Sequence, residues 1–203
     1  MATLQARVES LIGTFSDTTS LTEWLTDGVH ELVDNLPDKR LEKYSTNLSD
    51  SGSGIAVTGY RVLRAHKSGY GTRPVNPGLK TQVVDSGSKY YATATSPVYY
   101  EENGKGYVQP SGGTLIVFQY PTVAYSTTAG GTQFLTDFEK VIVLYTAIRA
   151  TVQNISTAQT QMATYLETDE DSELAQIEGA RINELNSLFD RLKAEYSDLI
   201  KGL

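Results

Sequence analysis

Residues 134–166 read FLTDFEKVIVLYTAIRATVQNISTAQTQMATYL, and the spacing of their apolar positions decides the fold. Phe134, Phe138, Val141, Tyr145, Ile148, Val152, Ile155, Gln159, Met162 and Leu166 step alternately by four and three. That is a sustained heptad with one polar member, Gln159, and it predicts a helix roughly 50 Å long at about 1.5 Å per residue. The stretch Glu167-Thr168-Asp169-Glu170-Asp171 interrupts it. A second run, Ile182, Leu185, Phe189, Leu192, Tyr196, Leu199 and Leu203, resumes the alternation. Acidic residues at its start suit the positive end of a helix dipole. Two long helices with a short polar turn predict an antiparallel αα-hairpin. Its seams are wider than one partner covers, so it is expected to pack on the N-terminal helices, on neighbouring copies, or on both. The candidates for contact between copies are Tyr145, Ile148, Val152, Ile155, Met162, Leu185, Phe189, Leu192 and Tyr196.

The N-terminal region supplies such helices. Leu4, Val8, Leu11, Ile12 and Phe15 share one helical face, and Asp17, Thr18 and Thr19 break the pattern. Ser20-Leu21-Thr22-Glu23 then has the form of a capping box. Leu21, Trp24, Leu25, Val29, Leu32, Val33 and Leu36 follow on one side, with His30 off the stripe. Pro37 ends that helix, with room for a short second piece through Leu41.

Between the helical ends lies a segment of different character. Residues 1–53 carry a net −5, residues 54–131 a net +4 and residues 132–203 a net −6. The middle zone also holds 9 of the 13 tyrosines and 5 of the 6 prolines, which marks it as a β-rich insert. Ser49-Asp50-Ser51-Gly52-Ser53-Gly54 reads as a linker or loop before it. Ile55-Ala56-Val57, residues 60–64, Gln82-Val83-Val84, residues 90–93 and residues 115–120 are the strand candidates. In residues 98–108, Asn103-Gly104 provides the positive φ angles of a type I′ turn between β-forming flanks, so this is a hairpin. No helix-length crossover separates these runs, which predicts antiparallel pairing. The expected fold is α+β. N-terminal helices (1–48) pack with a long C-terminal αα-hairpin (132–203) around an inserted small antiparallel β domain (54–131).

Composition removes most chemistry. The chain has 203 residues, a net charge of −7, no cysteine and two histidines. Generic basic nucleic-acid binding, disulfide frameworks, thiolate catalysis and Cys- or His-rich metal sites therefore lack their parts. The longest apolar run, Val141 to Tyr145, is far below the roughly 20 residues of a membrane helix, and the N-terminus has no leader pattern. A soluble chain without a cleaved leader is expected.

Gly69-Tyr70-Gly71 and Gly104-Lys105-Gly106 neither continue as Gly-Lys-Ser/Thr nor open a helix, so they are not phosphate loops. Gly52-Ser53-Gly54 is not a nucleophile elbow. His66 has no ligand spacing around it. Glu101 and Glu102 are strand neighbours pointing to opposite faces, so they cannot flank one glycosidic bond. The acidic run from Glu167 to Glu173 lacks the glycine of a calcium loop. Asn47-Leu48-Ser49 and Asn154-Ile155-Ser156 are formal glycosylation sequons without a secretion signal. The middle-zone tyrosines read as core and interface residues in preference to a stacking platform. Tyr99, Tyr100, Asn103, Gly104 and Tyr107 of the hairpin are the candidates for touching a partner. No catalytic residue, cofactor or metal is expected.

Several strings carry a resemblance. Residues 66–71 (HKSGYG), 96–100 (SPVYY), 107–114 (YVQPSGGT) and 120–125 (YPTVAY), with 4–9 (LQARVE) and 144–148 (LYTAI), resemble virion structural proteins of tailed double-stranded DNA phages, especially marine ones. The resemblance covers roughly residues 1–150. The layout of helices, β insert and long helix is similar to head-to-tail connector (neck adaptor) proteins. That likeness implies a homo-oligomeric ring, about a dozen copies strong, made in the host cytoplasm and carried in the neck or tail region of the virion. Its partners would be the portal protein, adjacent neck or tail proteins and passing genomic DNA held without sequence recognition. A net-acidic wall would let DNA slide, while the basic β zone would face protein. The alternative reading is a receptor- or glycan-binding tail module whose helices oligomerise it.

Overall fold

The computed structural model describes residues 2–128, 131–167 and 172–203. In chain order the helices are α1 (Leu4–Ile12), α2 (Thr18–Asn35), α3 (Asp38–Leu41), α4 (Lys80–Val84), α5 (Gln133–Glu167) and α6 (Ser172–Lys201). The strands are β1 (Thr46–Ser49), β2 (Ile55–Ala56), β3 (Tyr60–Lys67), β4 (Tyr70–Gly71), β5 (Arg73–Pro74), β6 (Val98–Glu102), β7 (Lys105–Gln109) and β8 (Thr114–Gln119). The protein is α+β, with a long C-terminal helical pair packed together and mainly antiparallel sheets. It divides into a helical unit, Met1–Asn35 with Pro121–Leu203, and an inserted unit, Leu36–Tyr120.

In the helical unit, α1, α2 and α6 all pack on α5. Thr3 caps α1 by accepting a hydrogen bond from the Ala6 amide (3.2 Å). The chain before α5 is tied to α1 through Leu4 N–H to Thr127 O (2.8 Å) and Gln5 N–H to Tyr125 O (3.1 Å). Leu21, Leu25, Val29, Leu32 and Val33 of α2 are buried, as their spacing predicts. Its cap differs from the expected Ser20 box. Asp17 accepts from the Ser20 amide (3.0 Å) and hydroxyl (2.6 Å), and the helix begins at Thr18. A carboxylate accepts two such bonds at once, so it displaces the serine from the capping role. α1 stops at Ile12 because Gly13 takes a positive φ of 82° and donates back to Glu9 O (2.9 Å). Phe15 therefore lies beyond the helix, buried against Trp24 at 5.7 Å.

The inserted unit is two four-stranded sheets, ordered β1-β8-β3-β4 and β2-β7-β6-β5. Val57, Ala65, Val108, Leu115 and Val117 form the core between them, with Leu48, Ile55, Val62 and Tyr99 packed around it. A second cluster, Val83, Ala92 and Val98 with Val75, links α4 to β6.

Several sequence expectations are corrected here. Residues 82–84 belong to helix α4, although two valines suggest a strand. Asn76, which accepts from Gly78 N–H (2.8 Å), and Pro77 open a helical turn just upstream, and tertiary burial of Val83 overrides propensity. Residues 90–93 are turn and loop, since the Arg73 guanidinium takes the Tyr90 and Tyr91 carbonyls that a ladder would use. One pairing is parallel, Arg73–Val98 and Pro74–Tyr99, and α4 lies in the crossover that makes it feasible. Residues 46–49 form β1, antiparallel to β8, so the insert starts at Leu36, earlier than residue 54, and ends at Tyr120, before residue 131. The Ser49–Gly54 stretch is anchored and not a free linker. Asp50 is 5 % exposed and accepts from the amides of Gly52 (2.7 Å), Gly54 (3.2 Å) and Val108 (3.3 Å). Of the acidic interruption, residues 168–171 lie outside the described residues.

Candidate functional site

The heptad side chains fall into two environments along α5. Of the fourteen residues 134–147, nine are buried; of the fourteen residues 154–167, only Ala158 is. The base is a multi-helix core, and what extends from it is a pair of helices with a single mutual face. At the base, the Tyr145 ring lies 6.2 Å from that of Tyr196 and packs on Gly28, where a Cβ would approach it to 2.9 Å. The Tyr196 hydroxyl donates to Glu31 Oε1 (3.0 Å), and Arg149 donates to the Tyr145 hydroxyl (3.1 Å). Burial, reinforced by the Glu31 carboxylate, pushes the Tyr196 phenol above its ordinary value. Hydrogen bonds from the Ser20 hydroxyl and amide hold Asp17 below its own, with Gln153 of α5 contributing. Asp17 thus marks the level at which α2 begins beside α5.

Beyond that level, Met162 faces Gly179, whose Cβ position is 3.8 Å from the Met162 sulfur. From Tyr145 to Met162 is 17 residues, and from Gly179 to Tyr196 is also 17, so the helices run antiparallel without slippage. Ile148, Ile155, Met162, Leu185 and Phe189 are half-buried, and Leu192 is fully buried. Val152, Leu166, Leu174 and Ile177 remain 48 %, 60 %, 41 % and 55 % exposed. Leu166 and the two α6 positions Leu174 and Ile177 were not singled out among the sequence candidates. The cue was available, because helices this long with few core layers must leave apolar flanks in water. Burying a wholly exposed aliphatic side chain stabilises by about 1.5–3 kcal/mol, so covering the half that these four still expose is worth about 1 kcal/mol each.

The hairpin candidates lie in the inserted unit. Asn103 and Gly104 have φ of 52° and 70°, the type I′ turn, and both are exposed. The three tyrosines are engaged within the unit. Tyr99 joins the intersheet core and donates to Glu101, while Tyr100 is buried and stacks on Tyr107 at 5.1 Å. Tyr107 in turn packs on Gly54, where a Cβ would come within 2.6 Å of the ring. Burial first, then the Glu101 partner, raises the Tyr99 phenol. Glu102 pairs with Lys80 (2.6 Å) on the face opposite Glu101, and that bond raises the lysine. The exposed tyrosines are Tyr70, Tyr91 and Tyr125.

A cleft of about 380 Å³ in the helical unit is floored by Leu11, Val143 and Leu144. Its rim carries the ion pairs Arg7–Glu139 (3.0 Å) and Lys140–Glu195 (2.7 Å). Asp137 adds a third carboxylate, and the two hydroxyls of the lining, Ser10 and Thr136, donate to the backbone carbonyls of Arg7 (2.6 Å) and Thr132 (3.1 Å), with no histidine among the described lining residues to activate them. Among the described residues no group of three or more His, Asp or Glu is placed to hold a metal ion. No helix among them is long and apolar enough to cross a membrane. The α5–α6 pair carries four of the exposed large hydrophobic side chains among the described residues, Val152, Leu166, Leu174 and Ile177. The chain matches no protein-family model and no curated protein.

Proposed function

We propose that this chain is a structural virion protein of a tailed phage, a head-to-tail connector subunit that closes into a ring between portal and tail. The observation that carries the reading is the distal α5–α6 pair, which leaves Val152, Leu166, Leu174 and Ile177 between 41 % and 60 % exposed. A ring subunit presents one side to the next copy's other side, and rigid helices provide such sides. The helical unit has 7 Lys and Arg against 18 Asp and Glu, for −11, and the inserted unit 10 against 6, for +4. An acidic wall repels phosphate, so DNA would slide past the helices, while the β unit meets protein. Function on this reading is shape and multivalent packing, with no bond made or broken.

Mass measurement of the purified chain, with negative-stain imaging, is the test. Closed rings of about a dozen copies, alone or on a portal ring, are the expected result. Threefold rods would favour the receptor- or glycan-binding module. A chain that stays monomeric even with the portal ring present would overturn the connector reading.

A further inference from the structure

Five of the ten cations of the inserted unit gather on one ridge. α3 and the turn after it lie along β3, held there by Asp38 to Arg61 (2.7 Å) and by Glu42 to Arg64. Lys39, Arg40 and Lys43 project from the same short segment, all exposed. Five cations around two carboxylates leave the ridge at net +3.

A surface of opposite sign exists in the other unit. On α6, Glu173, Ile177, Glu184 and Leu188 recur at spacings of four, seven and four, which sets them along one side. The first three are exposed and Leu188 is half-buried. Arg181, the cation of that stretch, is tied to Glu178 (3.4 Å).

We propose that the Lys39–Arg40–Lys43 ridge of one copy seats the Glu173–Ile177–Glu184 side of α6 from a second copy. This deepens the ring reading and rests on it, because it names the two sides that each contact joins. A second copy fits better than a nucleic acid for three reasons. The ridge has two carboxylates set among its cations, which a phosphate backbone would oppose. The whole chain is at −7, which disfavours approach of a polyanion. The facing side carries Ile177 between its carboxylates and Leu188 one turn beyond them, and phosphates offer no apolar cover. A contact of this kind joins unlike surfaces, so it propagates from copy to copy and does not stop at a pair.

The test uses full-length chain, half of it ¹⁵N-labelled, coupled with a zero-length carbodiimide that joins amines to carboxylates. Mixed-isotope peptides linking Lys39 or Lys43 to Glu173 or Glu184 are expected. Two variants complete it, Lys39→Glu/Arg40→Glu/Lys43→Glu and Glu173→Lys/Glu184→Lys, with circular dichroism confirming that each folds. Each alone should self-associate at least about tenfold more weakly than wild type, and association of wild type should weaken with added salt. Mixed in equal amounts, the two should recover association, because each then offers the sign the other lacks. Wild type that never associates, with the portal ring present as well as without it, would overturn both this inference and the ring. Assembly that persists in either variant would overturn the inference and leave the ring standing. Loss of duplex-DNA binding in the ridge variant, with self-association unchanged, would assign the ridge to a polyanion and also overturn it.

Discussion

Asp50 shows how one side chain can replace a strand's worth of order. Its carboxylate gathers three amides, including that of Val108 in the intersheet core, and its own N–H donates to Gly113 O (2.8 Å). Asp50→Ala would strand the buried Val108 donor away from water and remove the carboxylate that orders the turn at Gly52 and Gly54. The expected loss is about 3 kcal/mol, read as a lower urea midpoint with far-UV dichroism little changed before unfolding. Tyr99 and Tyr196 work through protonation. Both phenols are raised in the folded chain, chiefly by burial, so folding holds their protons more tightly than the unfolded chain does. The stability they contribute is intact below the ordinary tyrosine value near 10 and drains away as pH climbs above it. The urea midpoint should therefore fall between pH about 9 and pH about 11, and Tyr196→Phe should make that fall shallower.

At the scale of elements, the two halves of the α5–α6 pair differ in what protects them. The base shares a core with α1 and α2, whereas the distal half has one mutual face, and a helical segment under about 40 residues seldom holds its structure alone. In dispersed chain, amides of residues 154–166 should exchange with deuterium much faster than those of 138–150. Assembly should slow the distal set selectively, and equal protection in both sets of dispersed chain would contradict this account. The periodicity of α5 and α6 was legible because every heptad position repeats the same demand. What escaped was local. Val83-Val84 and Tyr90-Tyr91 carry strand-forming side chains, yet Pro77 and the Arg73 guanidinium, each several residues away, decide their backbone. The share of each heptad position between chain mates and open water was equally hidden. Tyr145, Leu192 and Tyr196 match Val152 in pattern, but where α2 begins, at the Asp17–Gln153 level, is a tertiary fact. The hairpin tyrosines illustrate the same limit, since alternation on a strand cannot say that Gly54 and the opposite sheet will enclose them.

For the whole molecule, charge is segregated by unit, −11 against +4, so under the proposed assembly one chain would carry both partners of an electrostatic contact at once. Such a pairing would set encounter rate and orientation more than final affinity, which in the proposed ring would come from the exposed aliphatic side chains. The matched 17-residue spans between Tyr145–Tyr196 and Met162–Gly179 have a consequence for how the arm can vary. Because neither strand of the arm is offset against the other, its reach is a free dimension. Taking seven residues from both limbs together would shorten it by roughly 10 Å while every remaining layer still met its counterpart. Versions of the chain with a shorter or longer arm could thus be cut to measure without redesigning the foot on which the arm stands.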